Sequence, residues 1–159
     1  MILVLLGTQD KPFLRLLKMV SKEIDKGNIK EKVVAHTGYT AFSDKNMESF
    51  DFKNKEEIEK LIDKARIIIT HAGVGTITEC LEKGKKIIVV PRLKKYLEHT
   101  NDHQMQITKE FEMKGYVIAL YDKSRLSAAL DKIKTFKPKR YESNSENFKM
   151  KIKDYIDNI

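Results

Sequence analysis

A chain of 159 residues is long enough for one domain with a buried core and short for a two-domain enzyme. Its formal net charge of +8 favours an anionic partner, such as a nucleotide phosphate, an acidic membrane surface or nucleic acid, or reflects only a lysine-rich soluble surface. The single cysteine, Cys80, excludes an internal disulfide and predicts a buried structural thiol in a reducing compartment.

The first third of the sequence predicts alternating strands and helices. Residues 2–6 form a continuous apolar run without a basic leader, which favours a buried strand over a signal or membrane segment and hence a cytoplasmic chain. Pro12 suits the first turn of a helix that extends to Gly27. Residues 33–36 predict a second strand, and the alternating residues 48–52 predict a short third strand.

The middle of the chain contains two helix-opening patterns around another strand. Asn54 and Glu57 have the spacing of a capping box, and residues 66–70, which contain three consecutive isoleucines, predict a strand buried on both faces. After a glycine turn, Thr76 and Glu79 repeat the capping-box spacing. We therefore expect the next helix to begin at Thr76 and to end near Gly84.

The rest of the chain predicts two more strands and three helices. Residues 86–90 and 116–120 have the apolar character of buried strands, with a helix between them that shows capping-box spacing at Asn101 and Gln104. Helical spacing resumes at residues 126–133.

The last predicted helix runs from about Ser145 to the C-terminus after a lysine-rich connector. Its apolar stripe consists of Phe148, Ile152, Tyr155, Ile156 and Ile159. We divide the chain into a main domain, residues 1–140, and a C-terminal amphipathic helix, residues 141–159. Such a stripe packs on its own domain, or it docks on another protein or a membrane surface.

Strands that alternate with helices predict an α/β fold: a Rossmann-like, doubly wound, mostly parallel six-stranded sheet with helices on both faces. Ligands of such sheets bind at the carboxyl ends of the strands, near the point where the strand order reverses. The loops after Leu6, Thr70 and Val90 would share that edge.

A dinucleotide-binding fingerprint is absent from the first turn. The sequence Gly7-Thr8-Gln9-Asp10 stands where the glycine-rich pattern would be, and the second strand ends in His36-Thr37 without an acidic residue for a ribose. A nicotinamide or flavin dehydrogenase is therefore not predicted.

The glycine turn His71-Ala72-Gly73-Val74-Gly75 leaves two alternatives open. Its glycines either let the backbone approach a phosphate at a helix N-terminus or serve only a tight turn. Glu79 either caps the backbone or accepts hydrogen bonds from ribose hydroxyls, and Gln104 poses the same alternative. His99 and His103 are four residues apart, but no third ligand is evident, so no metal site is predicted.

Four segments together resemble the donor-binding half of GT-B glycosyltransferases: Gly7-Thr8-Gln9, residues 71–79, Pro91-Arg92 and residues 98–104. The resemblance covers nearly the whole chain and is to the family 28 C-terminal domain. In particular, the chain resembles the small soluble donor-binding subunits of two-component transferases. These are the bacterial subunits of capsule and exopolysaccharide synthesis and the eukaryotic subunit that acts on dolichol-linked chitobiose. It implies that the sheet is the C-terminal half of a GT-B fold and that residues 1–140 bind a nucleotide sugar.

The resemblance also implies roles for individual residues. Glu79 would bind the ribose hydroxyls of a UDP-sugar, and His71 and His103 would stabilise the charge of the departing diphosphate. The other implied substrate-binding residues are Thr8, Gln9, Gly73, Gly75, Thr76, Arg92, Glu98, His99, Asn101, Asp102 and Gln104.

The resemblance implies an inverting transfer in a single displacement, without a covalent intermediate, a cofactor or an essential metal. The chain would be the catalytic, donor-binding subunit that passes a sugar from a UDP-sugar to a lipid-linked acceptor in polysaccharide or glycolipid synthesis. It would act with a membrane-anchored acceptor-binding subunit at the cytoplasmic face of the membrane. The rival hypotheses are a stand-alone nucleotide-sugar epimerase or hydrolase and a non-enzymatic anion- or nucleic-acid-binding module. No nucleic-acid partner is expected, since no recognised binding motif is present.

Overall fold

A computed structural model, which describes residues 1–122, 124–142 and 146–158, consists of a parallel sheet with helices on both faces. Its strands are β1 (Ile2–Leu5), β2 (Val33–His36), β3 (Glu48–Phe50), β4 (Ile67–Thr70), β5 (Lys86–Val89) and β6 (Ile118–Ala119). Its helices are α1 (Leu14–Asp25), α2 (Lys55–Lys64), α3 (Val74–Glu82), α4 (His103–Met113), α5 (Leu126–Thr135) and α6 (Glu146–Asp157), with a short 3₁₀ helix at Lys94–Tyr96.

The described strands lie in the order β3-β2-β1-β4-β5-β6, and every neighbouring pair is parallel. Leu5 at the end of β1 pairs with His36 on one side and with Thr70 on the other. The order reverses between β1 and β4, which is the doubly wound arrangement. The predicted fold class is therefore confirmed.

Two apolar clusters hold the helices against the sheet because β1, β2, β4 and β5 are buried on both faces. Val4 of β1 packs in one cluster with residues of α1 and α5, and Leu3 of β1 packs in the other with residues of α2, α3, α4 and α6. Cys80 is fully buried in the second cluster, and burial raises the pKa of its thiol to about 12. The prediction of a buried structural thiol is confirmed.

Helix α1 begins differently from the prediction, whereas helix α2 begins as predicted. Helix α1 begins at Leu14 after Phe13 as the N-cap, so Pro12 precedes the helix and does not lie in its first turn. The Phe13 backbone N–H donates to the Thr40 hydroxyl instead, at 3.0 Å. Helix α2 follows the prediction, since Asn54 and its partner form both hydrogen bonds of a capping box.

The predicted capping box at Thr76 is wrong. Helix α3 begins at Val74 with Gly73 as the N-cap, and the Ile77 N–H donates to the Gly73 carbonyl oxygen at 3.0 Å. Thr76 is thus the third helical residue, and Glu79 lies a full turn into the helix. The chain enters the helix earlier because the glycine itself takes the N-cap conformation.

The predicted capping box at the start of α4 is also wrong. The N-cap is Asp102, and the Asn101 side-chain oxygen accepts a hydrogen bond from the His103 backbone N–H at 3.0 Å. Gln104 is buried and turns its amide into the protein, so it cannot cap the helix.

The C-terminal helix α6 packs on its own domain. Ile152 is 3% exposed within the second cluster, and Tyr141, just before the helix, makes an edge-on ring contact with Tyr116. Ile156 remains exposed. The predicted helix start at Ser145, Ile159 and the side chains of Phe148 and Tyr155 lie outside the described residues. The partner-docking role of this helix stays a prediction.

Within the described ranges, no helix is both long enough and apolar enough to cross a membrane.

Candidate functional site

Two loops meet where the strand order reverses, between β1 and β4. Leu5 and Thr70 pair at the ends of these strands, and the Thr70 hydroxyl donates to the Leu5 carbonyl oxygen at 3.0 Å. The backbone N–H of His71 donates to the same oxygen at 3.2 Å. The loops after β1 and β4 therefore leave the carboxyl edge of the sheet from one fixed point.

The imidazole of His71 lies against two glycines of these loops. It is 6% exposed, and a Cβ atom built on Gly7 would lie 2.3 Å from its Nε2. A Cβ atom built on Gly73 would lie 2.3 Å from its Cε1, whereas one built on Gly75 would meet open space. Gly7 also has a φ of +79°, which glycine adopts without strain. Gly7 and Gly73 are therefore needed to make room for the imidazole.

The imidazole of His71 is neutral at physiological pH. Burial lowers its pKa to about 3, and the positive charge of Arg92 acts in the same direction. Gln104 Nε2 lies 3.3 Å from His71 Nδ1. Because the Gln104 oxygen already accepts two hydrogen bonds, its nitrogen is the donor, and His71 carries its proton on Nε2. This Nε2–H has no partner among the described residues.

The N-terminus of α3 directly follows this histidine. Its N-cap, Gly73, has no side chain, and the first turn contains no acidic residue. Its first backbone N–H groups therefore have no side-chain cap, and the positive end of the helix dipole lies at the same point. A neutral N–H donor beside an uncapped helix N-terminus is an arrangement suited to an anion.

Gln104 joins three elements behind the site. Its side-chain oxygen accepts from the backbone N–H of Ala72 at 3.1 Å and from that of Arg92 at 2.9 Å. It thereby ties the loops after β4 and β5 to the first turn of α4, while its nitrogen supports His71. The structure thus places Gln104 as a residue that positions the site; its predicted contact with the sugar stays a prediction.

Arg92 is 1% exposed and binds protein backbone. Its guanidinium donates to the carbonyl oxygens of Leu6 at 2.7 Å, Lys11 at 2.7 Å and Glu98 at 3.1 Å, and it lies over the Phe13 ring. Burial lowers the pKa of Arg92 to about 10, so the group keeps its charge at neutral pH. Arg92 therefore holds the loops after β1 and β5 together.

Glu98 completes this connection from the loop after β5. Its buried carboxylate accepts two hydrogen bonds from Arg15 of α1, at 2.8 and 2.9 Å, and one from the backbone N–H of Leu93 at 3.0 Å. A bidentate pair of this kind is specific in geometry. Both Arg92 and Glu98 were predicted to bind substrate, and the structure places them within the scaffold of the site.

A polar segment crosses from the loop after β1 to the start of α4. Gln9 Nε2 lies 3.2 Å from His99 Nε2, and the Asn101 backbone N–H donates to His99 Nδ1 at 3.3 Å. Burial lowers the pKa of His99. His103 opens α4, and its buried Nδ1 has no hydrogen-bond partner among the described residues. The structure brings Gln9, His99 and Asn101 together, and their predicted contact with the substrate stays a prediction.

Several predicted residues remain accessible. They are Thr8, Gly75, Thr76, Glu79, Asn101 and Asp102, all exposed or half-buried. Among the described residues, no hydrogen bond or ion pair involves the Glu79 carboxylate. The same part of the chain contains no group of three or more His, Cys, Asp or Glu placed to hold a metal ion.

An aromatic cluster beside the site escaped the sequence analysis. Tyr39 is 60% and Phe52 47% exposed, and their rings meet edge-on with centroids 5.1 Å apart. The buried His36 ring lies below Phe52 at 5.7 Å. A Cβ atom built on Gly38 would lie 2.9 Å from the Gly7 carbonyl oxygen, so the turn that carries Tyr39 touches the loop after β1. The sequence signal that could have identified this cluster is the position of Tyr39 and Phe52 in the turns that follow β2 and β3.

Comparison with known proteins identifies related sequences. The model of the glycosyltransferase family 28 C-terminal domain matches residues 1–159. The human UDP-N-acetylglucosamine transferase subunit ALG13 is 35% identical over 66 residues, which are 42% of this chain and 6% of that protein. The UDP-N-acetylglucosamine--N-acetylmuramyl-(pentapeptide) pyrophosphoryl-undecaprenol N-acetylglucosamine transferase of Clostridium tetani is 31% identical over 138 residues, 84% of this chain and 34% of that protein.

A solved structure shares the fold. The NMR solution structure of ALG13 superposes with a TM-score of 0.59 at 18% identity, covering 95% of this chain and 94% of that one. At this identity, the likeness shows the fold alone. The chain spans about a third or less of the length of the two relatives compared by sequence.

Proposed function

The chain belongs to the glycosyltransferase family 28 C-terminal domain family, and on this basis we propose that it is the donor-binding catalytic subunit of a two-component inverting glycosyltransferase. Its donor is a UDP-sugar, and UDP-N-acetylglucosamine is the first to test because both relatives compared by sequence are N-acetylglucosamine transferases by name. The observation that carries the proposal is the neutral Nε2–H of His71 beside the uncapped N-terminus of α3.

The diphosphate of the donor binds between the loops after β1 and β4. The backbone N–H groups of Val74, Gly75 and Thr76 and the helix dipole face the phosphate oxygens. As the bond between the anomeric carbon and the diphosphate oxygen breaks, negative charge grows on the leaving group, and the His71 Nε2–H donates to it. Since the imidazole is already neutral and Gln104 keeps its proton on Nε2, it needs no change of protonation for this role.

The nucleoside lies along the same edge of the sheet. Glu79, one turn into α3 and without a protein hydrogen bond, accepts hydrogen bonds from the two ribose hydroxyls. Tyr39 and Phe52 offer exposed ring surface for the base, because every nucleobase stacks on aromatic side chains. The remaining polar residues, Thr8, Gln9, His99, Asn101, Asp102 and His103, surround the sugar and its phosphate.

A partner supplies the acceptor side. The acceptor hydroxyl attacks the anomeric carbon, its proton passes to a base on the partner, and UDP departs with inversion at that carbon. The proposed partner is a membrane-anchored subunit that binds a lipid-linked acceptor, which places this chain at the cytoplasmic membrane face. No cofactor is required, because the donor already carries its leaving group.

The test is a transfer assay with UDP-N-acetylglucosamine labelled in the sugar. The purified chain is incubated with the donor, with and without membranes from cells that produce the acceptor-binding partner, and lipid-linked label is extracted. We expect label in the lipid fraction only when both are present. Release of free sugar or an epimer by the chain alone would instead indicate a stand-alone hydrolase or epimerase and contradict the proposal.

A further inference from the structure

A groove lies between α1 and the loop after β5, away from the anion site. It has a volume of about 550 Å³. Leu14, Met19 and Tyr96 contribute apolar surface, and Lys18 and Lys22 of α1 also line it. We call this groove and the adjoining loop segment 94–97 the α1 face.

The loop segment of the α1 face exposes an unusual leucine. Leu97 is 79% exposed and has a φ of +58°, a left-handed conformation that residues with a Cβ rarely adopt. The loop is firmly held, because Arg15 lies over the Tyr96 ring at 5.0 Å and the Tyr96 hydroxyl donates to Asp122 at 2.7 Å. Leu97 therefore presents an apolar side chain to solvent from a fixed loop, in a conformation that costs free energy.

The α1 face is also positively charged. Among the described residues, Lys18, Lys22 and Lys94 form no ion pair, and all three are exposed. The carboxylates of Glu98 and Asp122 pair with Arg15 and Lys95, and the carboxylate of Asp102 accepts a hydrogen bond from the Lys94 backbone N–H at 2.9 Å. Lys18 and Lys22 therefore leave uncompensated positive charge along the groove of the α1 face.

We propose that the α1 face binds the surface of an anionic lipid bilayer directly. Leu97 and Tyr96 enter the boundary between headgroups and acyl chains, while Lys18, Lys22 and Lys94 contact the headgroup phosphates. A lipid surface fits better than a protein partner, because protein interfaces are depleted in lysine and need a larger apolar centre. The α1 face shares Arg15 and the loop after β5 with the scaffold of the anion site, so binding would hold that site close to the membrane.

The test is sedimentation of the purified full chain with vesicles, without any nucleotide or partner. Vesicles of phosphatidylcholine alone are compared with vesicles that contain phosphatidylglycerol at about a third of the lipid. We expect binding at least tenfold stronger to the anionic vesicles and weaker binding as salt is raised, because salt screens the headgroup charge. Equal binding to both vesicles, or no binding to either, would overturn the proposal.

Variants distinguish binding through the α1 face from an effect of the net charge of the chain. We expect K18S/K22S to weaken binding more than tenfold, at about fivefold per lysine near an anionic surface. The control K30S/K64S removes the same charge from the opposite edge of the sheet and should bind like the wild type. Equal loss in both variants would show that only net charge matters and would overturn the proposal.

The leucine has its own test. L97N replaces the side chain with one that tolerates the left-handed conformation, so the melting temperature should not fall. Vesicle binding should fall several-fold, whereas M113S, at a methionine 76% exposed on α4, should bind as the wild type. Unchanged vesicle binding by L97N would overturn the proposed insertion. This holds also if L97N loses association with a protein partner while its vesicle binding stays the same.

Discussion

The side-chain amide of Gln104 sets the position and the tautomer of His71. Its nitrogen lies 3.3 Å from His71 Nδ1, and its oxygen accepts hydrogen bonds from the backbone N–H groups of Ala72 and Arg92. With the oxygen occupied, the amide can only donate to the imidazole, which leaves the histidine proton on Nε2. One buried glutamine thus joins the first turn of α4 to the proposed diphosphate site.

Replacing Gln104 with alanine should therefore destabilise the chain. The variant leaves two buried backbone N–H groups without an acceptor, at a cost of about 1–3 kcal/mol each. We expect the free energy of unfolding, measured in urea, to fall by about 2–6 kcal/mol. Gln106→Ala, at an exposed position of the same helix, should change it little. Equal stability of the two variants would contradict the structural role of Gln104.

Alanine substitutions at two glycines should have opposite effects. Gly73→Ala places a Cβ atom 2.3 Å from the buried His71 ring, so the ring or the loop must shift. We expect a lower melting temperature and UDP binding weakened at least tenfold. Gly75→Ala meets open space within the first turn of α3, and there alanine is favoured over glycine by up to about 1 kcal/mol. Its melting temperature should stay the same or rise; a fall as large as that of Gly73→Ala would refute the packing argument.

The stability of the chain should depend on His71 in mildly acidic solution. The pKa of His71 is about 3 in the folded chain because burial disfavours its charge, and it returns to about 6.5 on unfolding. The unfolded chain binds more protons between these values, so stability is full above pH 6.5 and falls as the pH drops towards 3. From pH 6.5 to pH 5, this histidine should account for a loss of about 2 kcal/mol.

The measurement is urea unfolding at both pH values for the wild type and His71→Gln. The pKa values of His36 and His99 are also lowered by burial, but both residues remain in the variant. The wild type should therefore lose about 2 kcal/mol more than the variant. Equal losses would mean that His71 is not buried in its neutral form.

The exposed aromatic residues should serve nucleoside affinity and not the fold. Tyr39→Ala and Phe52→Ala remove ring surface that faces solvent, and stacking on one base is worth about 1–3 kcal/mol. We expect UDP affinity to fall about tenfold in each variant. Affinity for inorganic pyrophosphate, which lacks a base, and the melting temperature should stay the same. If pyrophosphate affinity falls equally, these rings do not contact the base.

Much of the fold was predictable because its signals are local. Continuous β-branched runs such as that of β4 indicate strands buried on both faces, and Asn54 with Glu57 identifies the start of α2. Thr76 and Glu79 have the same spacing by coincidence. A glycine N-cap leaves no side-chain signal, so the actual start of α3 at Val74 could not be distinguished.

The sequence predicted which segments contribute to the site but not how their side chains are arranged in space. Sequence alone does not show which polar side chains are buried and hydrogen-bonded within the protein. Arg92, Glu98 and Gln104 were therefore all predicted to bind the substrate. The fold reveals that they connect loops that are distant along the chain. The exposure of Tyr39 and Phe52 depends equally on the turns after β2 and β3, which local patterns do not specify.

The central claim is that this chain alone binds the donor nucleotide through α3. The most direct measurement is a calorimetric titration of the purified chain with UDP, repeated with Glu79→Ala and with Glu82→Ala. Glu82 lies on the same helix and is exposed, so its variant changes the same charge without touching the proposed ribose contact. We expect the wild type and Glu82→Ala to bind alike and Glu79→Ala to bind at least tenfold more weakly. Absence of UDP binding by the wild type, or equal affinity of all three proteins, would contradict the account.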